Sequence, residues 1–109
     1  MTLTLDHARC ELRPCDDGWI DVRVEGNLDQ PGARAVEGSI RYATSDADVG
    51  IVIDCTDCRF VDSSGLRLLV ESQQMAAARQ IGWRLRASAQ LRELLIVTSL
   101  DDMLVELRS

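Results

Sequence analysis

The chain predicts an α/β fold built on one mixed sheet. Three observations carry this expectation. Two short strand-like segments joined by a tight turn open the chain, and segments of helical period then alternate with segments of strand period. The run Val49-Gly50-Ile51-Val52-Ile53-Asp54 has almost no polar alternation and reads as a strand buried on both faces. Strands separated by helices need crossover connections and a largely parallel sheet, to which the opening hairpin adds an antiparallel pair. The expected order is β-β-α-β-α-β-α-β, with the helices packed on the sheet.

Leu3 to Leu12 alternates unevenly and is read as the first strand. Pro14-Cys15-Asp16-Asp17-Gly18 forms the turn: Pro fixes φ, Asp bonds its own backbone, and Gly tolerates positive φ. From Trp19 to Val24, Ile20, Val22 and Val24 face one way and Asp21 and Arg23 the other, the period of a half-buried strand. Gly26-Asn27-Leu28-Asp29 leaves that strand. A helix is expected from about Pro31 to Thr44, with Ala33, Val36, Ile40 and Ala43 on one side and Gly38 weakening it. After the buried strand, residues 66–81 read as a helix carrying Leu66, Leu69, Val70, Gln73 and Ala77, ended by Gly82. Trp83 to Ala87 alternates as a short strand. Ser88 is the expected N-cap of a helix carrying Leu91, Leu94 and Leu95, a row assigned to the core. Met103 to Leu107 completes the pattern as a last strand. Trp19 and Trp83 each begin a strand and are expected to cover the edges of the core.

The 109 residues suit one domain, expected to span 1–109. Hydrophobic residues make up 46% and charged residues 28%, and no apolar run approaches the roughly 20 residues that cross a bilayer. Met1 to Asp6 has neither a basic region nor a long apolar one, so no secretory leader and a cytoplasmic location are expected. The net charge of -6 disfavours direct binding to nucleic acid. All 12 basic residues are Arg, and they form no patch that would favour anionic lipid.

Cys10, Cys15, Cys55 and Cys58 are expected as reduced thiols. Cys55-Thr56-Asp57-Cys58 matches C-x-x-C, which leaves a redox-sensitive disulfide as the alternative. Tetrahedral metal binding by all four is not expected, because the hairpin turn should lie at the opposite end of the sheet from the end of the third strand. His7 stands alone and is read as a surface residue.

Phe60-Val61-Asp62-Ser63-Ser64-Gly65-Leu66 lies between a buried strand and the start of a helix. Helix N-termini accommodate phosphate, and a phosphorylated serine adds about -1.5 to -2 charge to a contact surface. The same residues also serve simply as helix caps. The second and third strands should run parallel, so Asn27-Leu28-Asp29 should lie beside Asp62-Ser63, with Asp29 and Asp62 near the acceptor hydroxyl and each also placed to cap a helix.

The pieces Gly26-Asn27-Leu28-Asp29, Ile51-Val52-Ile53-Asp54, Phe60 to Leu66, Gly82, Trp83 to Ala87 and Leu91 to Leu95 stand in the order and spacing of the STAS domain family. Their arrangement resembles in particular that of the bacterial anti-sigma factor antagonists, over about residues 3 to 107. The resemblance implies a STAS-like fold and a binding switch, not an enzyme. It implies Ser63 as the phosphoacceptor and an anti-sigma factor serine kinase as partner. The unphosphorylated form would bind that kinase and free the sigma factor; phosphorylation would break the complex, and a PP2C-type phosphatase would restore it. ATP and metal would belong to those partners, so no cofactor is expected in this chain. Asn27, Asp29, Asp62, Ser63, Ser64, Gly65 and Arg67 form the implied partner-binding set. Asn27 departs from the usual Glu. Arg67 departs from a frequent Gly and is either an ordinary solvated residue or one that meets a partner or a phosphate. The alternative is a STAS adaptor with no phosphorylation cycle, such as a subunit of a lipid-trafficking ABC transporter or a sensory scaffold.

Overall fold

The structure is a computed structural model and describes residues 8–100. Its elements are β1 (Arg9–Pro14), β2 (Trp19–Leu28), α1 (Gln30–Asp46), β3 (Gly50–Val61), α2 (Ser63–Arg79), β4 (Gly82–Ala87) and α3 (Ala89–Val97). The sheet order is β1-β2-β3-β4, with β1 and β2 antiparallel and the other two pairs parallel. This is the expected mixed sheet. The last expected strand, Met103 to Leu107, and His7 lie outside the described residues.

Two successive right-handed crossovers that progress in one direction place their helices on one face of a sheet. That face carries Val22, Val24, Ile51, Ile53 and Leu85, all fully buried, beneath Val36 and Ile40 of α1, Leu69 of α2 and Leu91 and Leu95 of α3. The other face is charged. Arg23 reaches Asp57 at 2.6 Å, Arg9 reaches Glu25 at 3.0 Å, and Arg84 lies over the Trp19 ring at 4.4 Å. Burial of β3 on both faces is therefore incorrect: Ile51, Ile53 and Cys55 are buried, whereas Val52 and Asp54 are half-buried on the charged face. The charges that cover this side come from neighbouring strands, which the sequence of β3 does not reveal.

Several boundaries also differ from expectation. β1 runs on to Pro14, which an edge strand tolerates. β2 and β3 are longer than read, because β3 carries two extra residues. Arg23 pairs with Asp54 but Glu25 with Asp57; Gly26 pairs with Cys58 but Asn27 with Phe60. These bulges break the period of two, so residues 55–60 look like a loop in the sequence although they are paired strand. Gly26, at φ +96°, supplies the backbone freedom beside the second bulge, and Gly18, at φ +88°, does so at the expected hairpin turn.

Helix α2 runs from Ser63 to Arg79 and is closed by Gln80, which takes the left-handed cap position at φ 59°. Gly82 is instead the first residue of β4, and a Cβ there would meet Trp19 Cη2 at 2.6 Å. The buried stripe of α2 includes Leu66, Leu69, Ser72 and Ala76, whereas Gln73 is half-buried and Ala77 exposed. Arg79, at the end of α2, donates to Thr44 O at 2.6 Å and Ala47 O at 2.9 Å and so closes the C-terminus of α1.

Trp83 is in the core, not at its edge. Its Nε1–H donates to Ser72 Oγ at 3.0 Å, and the Ser72 hydroxyl donates to Leu69 O at 2.8 Å. Both residues are buried, so a lost partner is not replaced by water. Ser72→Ala should destabilise the fold by about 1–3 kcal/mol in urea denaturation, by stranding the indole N–H. Combining it with Trp83→Phe should cost less than the sum of the two single changes.

Candidate functional site

Parallel pairing of β2 and β3 continues to Leu28 opposite Val61, and Asp62 N donates to Leu28 O at 3.3 Å. The two strands therefore end side by side, and each is followed at once by an Asp-capped helix. Asp29 and Asp62 both hold extended backbone, at φ -93° and -111°. Asp29 Oδ1 accepts from Gly32 N at 2.9 Å. Asp62 Oδ1 accepts from Ser64 N at 2.9 Å and Gly65 N at 3.2 Å. These bonds satisfy amides that a helix N-terminus otherwise leaves unpaired.

The two turns repeat one pattern. Asp29-Gln30-Pro31-Gly32 and Asp62-Ser63-Ser64-Gly65 both place Gly three residues after the capping Asp. Both glycines are buried. A Cβ at Gly32 would run into the Asn27 carbonyl, and one at Gly65 into the Leu28 carbonyl. The backbone of the β2 terminus thus serves as the floor for both helix starts.

Asn27, Asp29, Asp62, Ser63 and Ser64 gather along this edge. Asn27 is half-buried within β2, opposite Phe60, rather than beyond the end of that strand. Asp29, Asp62 and Ser64 are half-buried, and Ser63 is exposed at the first position of α2. Arg67 is exposed one turn further along. Gly65 lies beneath the others, where its lack of a side chain lets α2 approach β2. Both carboxylates are engaged with backbone amides, while Ser63 is exposed. The arrangement offers an exposed, modifiable serine directly after Asp62, on the edge where β2 also finishes just before Asp29.

Sequence reasoning did not include the groove beside this edge. A cavity of about 450 Å³ opens between the end of β3 and α3, lined by Phe60, Val61, Leu94 and Val97 among others. Phe60 is 53% exposed and Val97 75%; Val97 closes the apolar run Leu94-Leu95-Ile96, whereas Phe60-Val61, between Arg59 and Asp62, gives no such signal.

All four cysteines are free thiols. Cys15 is exposed at the hairpin end and Cys10 is half-buried on β1. Residues three apart on a regular strand face opposite ways, but the bulge between them turns both Cys55 and Cys58 into the core. Their thiols bond each other, and Cys58 Sγ also donates to Val24 O at 3.6 Å. The bond that the Cys55 thiol donates to Cys58, then burial, push it well above its ordinary pKa. Among the described residues, no group of His, Cys, Asp and Glu could hold a metal ion.

The family profile described as "Mlab, STAS domain" matches residues 16–106. The chain belongs to the STAS-domain family. Its fold is similar to that of an anti-sigma factor antagonist from Mycobacterium paratuberculosis, with a TM-score of 0.78, 25% identity, and coverage of 95% of this chain and 97% of the other. It is also similar to the Bacillus cell fate determinant SpoIIAA in its phosphorylated form, with a TM-score of 0.68, 21% identity and 87% of each chain covered. The unphosphorylated form of SpoIIAA gives a TM-score of 0.73 at 21% identity, over 87% of this chain and 84% of that one. No curated protein matches the chain. No helix among the described residues of this STAS domain is long and apolar enough to cross a membrane.

Two outcomes follow from this geometry. Gly65→Ala should cost about 1–3 kcal/mol or more, because the added methyl meets backbone that cannot swing away. Gly38→Ala, where nothing lies within 4 Å, should instead stabilise the domain by about 0.4–1 kcal/mol. Guanidinium denaturation of both variants checks the pair. In a thiol titration of native protein, Cys15 should react readily, whereas Cys55 and Cys58 should react only on addition of denaturant.

Proposed function

We propose that this STAS domain is an anti-sigma factor antagonist controlled by phosphorylation of Ser63. The observation that carries the reading is an exposed serine, Ser63, at the head of α2, on the edge where the Asp29 and Asp62 caps start their helices. The fold similarity to the Mycobacterium paratuberculosis antagonist over nearly the whole chain supports it. The unphosphorylated edge, Asn27, Asp29, Asp62, Ser63, Ser64 and Arg67 resting on Gly65, docks to an anti-sigma factor serine kinase. Docking takes the kinase from its sigma factor. The kinase supplies ATP and metal and transfers the γ-phosphoryl group to Ser63 Oγ, which loses its proton. The new dianion stands on the edge that carries two carboxylates already tied as helix caps, so a partner surface fitted to the neutral hydroxyl would have to bury added, unpaired negative charge. A PP2C-type phosphatase removes the phosphate by hydrolysis and restores docking. The domain itself carries out no turnover, acts within the cytoplasm, and needs neither nucleic acid nor membrane insertion.

The second reading is a STAS adaptor with no phosphorylation cycle that docks by the same edge, which the STAS-domain match alone equally accommodates. Such an adaptor would serve a lipid-trafficking ABC transporter or a sensory scaffold.

Ser63→Ala and Ser63→Glu separate the two. Each variant and the wild type are used as bait in lysate of the native organism, and each captured protein is tested for Ser63 kinase activity. Ser63→Ala should hold a kinase constitutively. Ser63→Glu should weaken that binding by at least about tenfold, about 1.4 kcal/mol. Partners whose affinity ignores both substitutions would establish the adaptor instead.

A further inference from the structure

Arg67 stands four residues after Ser63 on α2, and both side chains are exposed. Residues at this spacing are neighbours on a helix surface, and an acid N-terminal to its base is the favourable order. No hydrogen bond or ion pair engages Arg67 among the described residues. The acid four residues beyond it, Glu71, is exposed as well but stands in the unfavourable order. From the neighbouring strand ends come Asp29 and Asp62, whose carboxylates are bound to the amides of Gly32 and of Ser64 and Gly65. A phosphate on Ser63 therefore meets the acidic edge of Asp29 and Asp62, finds the Ser64 and Gly65 amides taken, and has an unengaged guanidinium within a turn of its own helix.

We propose that Arg67 clasps the phosphate of phosphorylated Ser63 on its own helix. This rests on Ser63 being the phosphoacceptor. Phosphorylation then does two things to the edge at once: it adds a dianion, and it withdraws the Arg67 guanidinium from the partner. The planar guanidinium can meet two phosphate oxygens together, which an ammonium cannot match in geometry. Arg67 is thus a positioning residue of the off state.

The test installs phosphoserine at position 63 by genetic encoding, so that no kinase is needed, in the wild-type, Arg67→Gln and Arg67→Lys chains. Phosphorus NMR follows the second phosphate ionisation, which lies near pH 6 in an unclasped phosphoserine. With Arg67 present it should fall about 0.5 lower than in Arg67→Gln, and Arg67→Lys should lie between the two. Arg67 is exposed and Gln is a good helix former, so circular dichroism should be unchanged. Equal ionisation with Arg67 and Arg67→Gln would overturn the clasp, whatever a kinase does to Ser63. If instead no kinase phosphorylates Ser63, the switch reading falls while the titration still reads the clasp.

Discussion

The parallel pairing of β2 with β3, carried to Leu28 and Val61, is the constraint on which the site depends. It makes two strands finish together and sends both chains into helices from one edge. Asp62 N donates to Leu28 O, and the Leu28 carbonyl also forms the surface against which Gly65 packs. One carbonyl thus fixes both where β3 stops and how closely α2 approaches. A strand slip of one residue would turn Leu28 out of the core and carry Asp29 away from Asp62. The bulges in β3 keep that register while absorbing two extra residues, and they also turn Cys58 to the same side as Cys55.

Much of this was legible in the sequence. The alternation of Ile20, Val22 and Val24 located β2, the turn residues up to Gly18 located the hairpin, and Ser88 capped α3 as expected through Leu91 N at 3.2 Å. Placing Asn27-Leu28-Asp29 beside Asp62-Ser63 followed from parallel topology alone. What could not be read has physical causes. Bulges disguise a strand as a loop, so residues 55–60 carried no period. The half-burial of Val52 and Asp54 depends on charged side chains from other strands. Ser72 looked unremarkable because its value lies in a tertiary bond to Trp83. The groove at Phe60 needs α3 folded over the strand end, which no local pattern predicts.

Two kinds of residue share the site. Asp29, Gly32, Asp62 and Gly65 make the edge possible: caps and close packing that any protein with this turn would need. Ser63 and Arg67 add nothing comparable to the fold, since both are exposed on α2. Side chains free of structural duty at a strand-end edge are the ones available for regulation, and parallel sheets commonly place their ligand and partner sites there. The charged face of the sheet is different, with its ion pairs of Arg9 with Glu25 and Arg23 with Asp57 closed among themselves.

The most direct measurement of whether this edge is the functional surface is a nitrogen-15 NMR footprint of the domain bound to the kinase captured by the Ser63→Ala bait. Amide shifts and line broadening should concentrate at residues 27–30 and 62–67. Perturbation confined to the hairpin turn at 15–19, or to the charged face of the sheet, would contradict the assignment of the edge as the partner surface.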